Sequence, residues 1–247
     1  MKRLFSWQVG LSVGLMSLSA LVYYLHYLLF RDVHHIFLYL VGDVAFVFVE
    51  VLLVTIIIHE LLGLREKQAL LQKLNMVIGA FFSEVGLSLL RIWSVADERS
   101  QALGEALVVS GRWSAKDFEA ASLRLAEQPC VIRLERVSLD ELKAFLTDKR
   151  DFLLRLLENP NLLEHESFTN LLWAVFHITE ELSYRSSLQG LSEPDAAHLA
   201  GDIKRAHELL ISQWLTYIRH LQKDYPYLFS LAVRTNPFNP EARVEIA

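Results

Sequence analysis

Apolar residues run almost unbroken twice near the start of the chain, over Leu4–Phe30 and over Phe37–Leu62, and from Leu64 onward they recur at helical spacing instead. A helix rises about 1.5 Å per residue and a hydrocarbon core is about 30 Å thick, so roughly 20 apolar residues suffice to cross a bilayer. Both runs meet that length. Only Arg31–Ile36 separates them, which predicts an antiparallel transmembrane hairpin over residues 1–63, with spans at about 4–30 and 37–62. A signal core is about 7–15 residues long, whereas the first run continues past the small residues at Ser17–Ala20 as far as Phe30, so it reads as a retained span. Lys2 and Arg3 precede it, and Arg65, Lys67 and Lys73 follow the second run. That bias puts both termini in the cytoplasm of a multi-pass protein of the cell inner membrane, with Arg31 on the short loop as a minor counterweight.

The polar positions inside these runs matter more than the runs themselves. At about 100° per residue, Gln8, Ser12, Ser19, Tyr23, His26 and Tyr27 share one stripe of the first span, while Gly10, Gly14 and Ser17 give the other side a small-residue face for helix packing. In the second span Asp43 and Glu50 are seven residues apart, hence on nearly the same face and about 10 Å apart along the axis. A carboxylate in hydrocarbon costs several kcal/mol unless it meets a partner or water, so both acids should face protein or a wet cavity. Counting down the two arms sets Asp43 level with Tyr23, and within reach of His26, and sets Glu50 near Ser17 and Ser19. Two helices cannot enclose a solvated path, so this arrangement predicts self-association in the lipid bilayer, with an acidic intramembrane path for cations or protons. Hydrogen-bonded acids that only lock the packing would give the same pattern. His34-His35 and His59-Glu60 read as interfacial residues.

Beyond the hairpin, residues 64–235 read as an all-helical cytoplasmic domain and 236–247 as a tail. Leu70, Leu74, Ile78, Phe81, Val85, Leu89 and Ile92 continue a helix from the second span to about Ala96, with Gly79, Ser83 and Gly86 marking a bend or a close contact. Asp97–Gly111 reads as a turn or short helix. Ser114 with Asp117, Ser138 with Glu141, and Ser192 with Pro194 are helix starts, and Pro129 and Asn159-Pro160 are stops. Another helix is expected from Leu162 to Ser186. Val131–Val137 alternates like a strand but has no evident partner, and so reads as an extended connector. The sum is a bundle of four or five helices.

Composition then narrows the chemistry. The chain has 247 residues, 53% of them hydrophobic, one cysteine and a formal net charge of -5. With no dense block of Lys and Arg, a nucleic-acid partner is set aside. No phosphate loop, nucleophile elbow or HExxH motif appears, no cofactor is implied, and Cys130 has no partner motif, so an enzyme is the weaker class. One arrangement could hold a metal: His177 with Glu180, and His198 with Asp202, each offer two ligand types on adjoining helical turns. It lacks the paired Glu-x-x-His motifs of bundle metalloenzymes, and His165, His207 and His220 add nothing at useful spacing. The layout resembles that of small two-span bacterial membrane proteins with a helical cytoplasmic domain. Three functions are therefore carried forward: an oligomeric ion path, a membrane-anchored adaptor for a cytosolic protein partner, and a helical metal-binding domain.

Overall fold

The structure is a computed structural model that describes residues 2–160, 162 and 165–245, with the backbone alone at 2–6, 8 and 65–73. The side chains of Lys2, Arg3, Gln8, Arg65, Lys67, Leu70 and Lys73, on which some expectations above draw, lie outside that description. The fold is all-α. Among the described residues the helices are α1 (Lys2–Phe30), α2 (Val33–Phe81), α3 (Leu87–Ala96), α4 (Ser100–Leu107), α5 (Ala115–Glu127), α6 (Leu139–Leu157), α7 (Glu166–Tyr184), α8 (Glu193–Asp224) and α9 (Pro226–Arg234). Contacts divide the chain into two compact units, Met1–Lys67 and Gln68–Ala247.

In the first unit the connection between α1 and α2 is two residues, Arg31 and Asp32, where the apolar pattern predicted six. Asp32 explains the difference. Its carboxylate accepts the His35 backbone N–H at 3.2 Å, the bond of an N-cap, so the helix starts at Val33 ahead of the apolar run, and Arg31 turns the chain at φ +50°. Val9–Phe30 and Val33–Leu64 are both long and apolar enough to cross a membrane, and neither is buried within the protein.

In the second unit a third stretch, Leu74–Ala96, is also long and apolar enough to span. Here the protein itself supplies the apolar surroundings: Leu74, Ile78, Phe81, Phe82, Val85, Leu89, Leu90 and Trp93 are buried in the core. Phe81 meets Phe168 of α7 edge-on at 5.3 Å, and Phe82 stacks on Tyr217 of α8 at 5.0 Å. The departure expected around Gly79, Ser83 and Gly86 takes the form of a π-helical turn over Phe82–Gly86. A methyl group on Gly86 would lie 2.6 Å from Cδ1 of Phe82, and one on Gly79 would lie 3.1 Å from the Tyr217 hydroxyl, so these glycines permit close approach.

Helix starts follow the capping signals. Ser114 and Asp117 form a capping box on α5, Ser138 accepts the Glu141 N–H at 3.4 Å, and Pro194 sits in the first turn of α8. The start of α7 is later than its apolar pattern suggested because His165 caps it, with Nδ1 accepting the Phe168 N–H at 3.3 Å. The extended connector does have a partner. Ile132 pairs antiparallel with Asp97, the Glu98 N–H donating to Val131 and the Arg133 N–H to Ala96 at 3.0 and 2.9 Å. That pairing is followed by a 3-10 turn at Leu134–Arg136. Beyond α9, Asn236 and Phe238 are buried: the Asn236 amide donates to the Leu107 carbonyl at 2.8 Å, and the Phe238 ring lies 5.0 Å from that of Trp214.

Candidate functional site

Helices α7 and α8 are neighbours in the second unit, and they bring chemistry-bearing side chains together at one place. His198 and Asp202 are one turn apart on α8, so they project from the same face, and His177 reaches them from α7. His177 Nε2 lies 3.1 Å from Asp202 Oδ2, and His198 Nε2 lies 3.3 Å from the same oxygen. The three ligand atoms all fall within 4.8 Å of one another. Asp202 is nearly enclosed, with 8% of its side chain exposed, whereas the His177 and His198 side chains are 42% and 54% exposed. Arg205 donates to the other carboxylate oxygen, Oδ1, at 2.8 Å.

Glu180 does not join this group. Its Oε1 accepts from Nε of Arg150 on α6 at 2.8 Å, and Glu181 takes the place nearest the histidines, with Oε1 3.9 Å from His198 Nε2. The other oxygen of Glu181 is held by Arg185 at 3.0 Å. Glu181 is four residues after His177 and Glu180 only three. Either spacing keeps a neighbour on the helix face, so the sequence pattern that singled out Glu180 applied equally to Glu181.

The hairpin residues are distributed differently. Asp43 and Glu50 are exposed on α2, and among the described residues neither carboxylate has a hydrogen-bond or ion-pair partner. Ser19 and Tyr23 are exposed, and His26 is half-buried near the loop, its ring 4.7 Å from Phe30 and 5.8 Å from His35. The Ser17 hydroxyl donates to the Val13 carbonyl at 2.8 Å within α1, and a methyl group on Gly10 or Gly14 would meet nothing within 4 Å.

A second polar group, invisible as a motif, sits inside the core of the second unit. Asp97 is fully buried at the end of α3, and its carboxylate takes a two-pronged contact from Arg99, through Nε at 3.1 Å and Nη2 at 2.8 Å. The Cys130 thiol donates to Oδ2 at 3.3 Å, and Nε2 of buried His207 lies 3.4 Å from the same oxygen without hydrogen-bond alignment. Burial alone would raise the Asp97 carboxyl, but His207 and Arg99 hold it well below the usual carboxylate range. Burial and the adjacent Asp97 charge push the Cys130 thiol up to about 12, so at neutral pH it is a thiol and no nucleophile. Burial lowers His207 from its ordinary value, which Asp97 opposes. Arg99 also donates to the Gln128 carbonyl at 2.7 Å beyond the end of α5. Arg99 and Cys130 both donate within the chain itself, and the group brings residues of α3, α5 and α8 together.

The chain was compared with known proteins. Residues 70–234 match the family described as "Uncharacterized protein MJ1433, C-terminal helical domain", and residues 2–62 match "MJ1433, N-terminal helical domain". The protein of that name from Methanocaldococcus jannaschii is 46% identical over 229 residues, which cover 93% of this chain and 92% of the relative. No solved structure matches.

Proposed function

We propose that this chain, which belongs to the MJ1433 family and carries its two helical parts in order, is an integral membrane protein, both termini cytoplasmic, that works as an assembly of copies. In this reading α1 and the first part of α2 form the membrane hairpin, and Leu74–Ala96 stays in the helical unit, where its apolar face is already covered. The observation that carries the proposal is the state of Asp43 and Glu50: two exposed carboxylates on a helix apolar enough to span, with no partner among the described residues of their own chain. Left against acyl chains, each costs about 3 kcal/mol on insertion scales, and a facing copy or water would remove that cost. Copies brought together along this face line a path for cations or protons, with Glu50 the central acid, Asp43 the outer one, and Ser19, Tyr23 and His26 as supporting polar groups.

The test is flux through the full-length protein reconstituted in vesicles. Glu50→Gln, which keeps the shape and removes the charge, should change proton or cation flux and leave the assembly intact. No flux in the parent protein, or the same flux in the variant, contradicts the proposal. A second reading, a membrane-anchored adaptor, draws support from Trp173, a residue 56% exposed on α7 that lines a surface groove with Asn170, Arg205 and Leu209. An exposed Trp in a groove suits a protein anchor better than solvent.

A further inference from the structure

We propose that His177, His198 and Asp202 form a binding site for one divalent transition-metal ion of the zinc type, with Glu181 or water in the fourth position. The proposal is independent of the membrane reading, since it rests on the second unit alone.

The geometry comes first. Zinc takes nitrogen and carboxylate oxygen ligands at about 2.0–2.1 Å in a tetrahedron, which sets its donors about 3.3 Å apart. Here Nε2 of His177 and Nε2 of His198 lie 3.1 and 3.3 Å from Asp202 Oδ2. All three atoms fit within 4.8 Å, so one ion can reach them with small side-chain rotations.

The surroundings are those of a ligand set held in place. In metal sites, outer groups fix the carboxylate so that one oxygen faces the ion. Arg205 takes Oδ1 of Asp202 at 2.8 Å and leaves Oδ2 toward the histidines. Arg185 likewise takes Oε2 of Glu181 at 3.0 Å and leaves Oε1 at 3.9 Å from His198 Nε2. The two arginines therefore turn one oxygen of each acid outward and present the other to the same spot. Two neutral imidazoles with one carboxylate suit zinc and its neighbours in the transition series better than the oxygen-only preference of calcium or magnesium.

Exposure decides the kind of site. A structural zinc is closed by four protein ligands, whereas this one has three firm ligands and half-exposed histidines, so the ion is open to solvent and exchangeable. It also clips α7 to α8, since one ligand comes from the first helix and two from the second.

Calorimetric titration of the full-length protein in detergent with zinc chloride, after chelator treatment and dialysis, tests the proposal. One equivalent per chain should bind, and cobalt in its place should give the intense visible absorption of a four-coordinate ion. His198→Ala, a truncation at a largely exposed position, and His177→Ala should each abolish that equivalent and that absorption while leaving the circular dichroism unchanged. His220→Ala, at a histidine that faces Asp224 elsewhere on α8, should alter neither. No stoichiometric binding, retention of the equivalent in both His177→Ala and His198→Ala, or a six-coordinate cobalt spectrum would overturn the assignment.

Discussion

His207 shows how a single residue can couple the core to pH. It is fully enclosed, faces Asp97 with the charges of Arg99 and Glu208 nearby, and burial depresses its imidazole below the ordinary value of 6.5. A depressed folded value means that the unfolded chain binds the proton first as the pH falls. The stability it contributes is therefore complete above about pH 6.5 and is lost as the pH drops from there through the folded value. The Asp97 carboxyl, also depressed, adds a loss of the same sign only below its ordinary 3.8. Thermal unfolding followed by circular dichroism should thus show a lower midpoint at pH 5.5 than at pH 7.5, and His207→Gln should remove most of that difference. An unchanged slope in the variant would place the sensitivity elsewhere.

At the scale of the element, local signals were legible and long-range ones were not. Ser114 and Ser138 declared their helices because a cap satisfies backbone donors within three residues of itself, whereas α8 was legible from Pro194, which fits the first turn; Ser192 makes no side-chain cap bond. The pairing of Asp97 with Ile132 joins segments 35 residues apart, and alternation in Val131–Val137 could not say which segment would accept it. The same limit hid the buried group of Asp97, Arg99, Cys130 and His207, whose members come from three separate places in the chain and share no motif. Of the proposed metal ligands, His198 and Asp202 were readable as a helical pair, while the choice between Glu180 and Glu181 depended on where Arg150 of α6 would lie. The π-helical turn gives a test at this scale. Alanine is the better helix former by about 1 kcal/mol, yet a methyl on Gly86 would meet the Phe82 ring at 2.6 Å. That ring is stacked on Tyr217 and edge-on to Phe81, so it has no easy route away. Overpacking costs about 1–3 kcal/mol and should win, leaving Gly86→Ala destabilised by up to about 2 kcal/mol net in thermal or denaturant unfolding. A stabilised variant would mean that the turn relaxes.

For the whole molecule, the two units state different physical problems. Residues 68–247 bury their own apolar residues, including the third stretch that composition alone marks as able to span. The described spans Val9–Phe30 and Val33–Leu64 bury almost nothing and expose a mostly apolar surface, into which the second span sets the carboxylates of Asp43 and Glu50. Those two acids are why we read the protein as one that meets its own kind, and that reading is testable by counting. Labelled full-length protein in sparsely loaded vesicles, followed by stepwise photobleaching, reports the number of chains in each assembly. The account predicts two or more steps per spot at protein densities where chance co-occupancy is negligible; single steps throughout would contradict it.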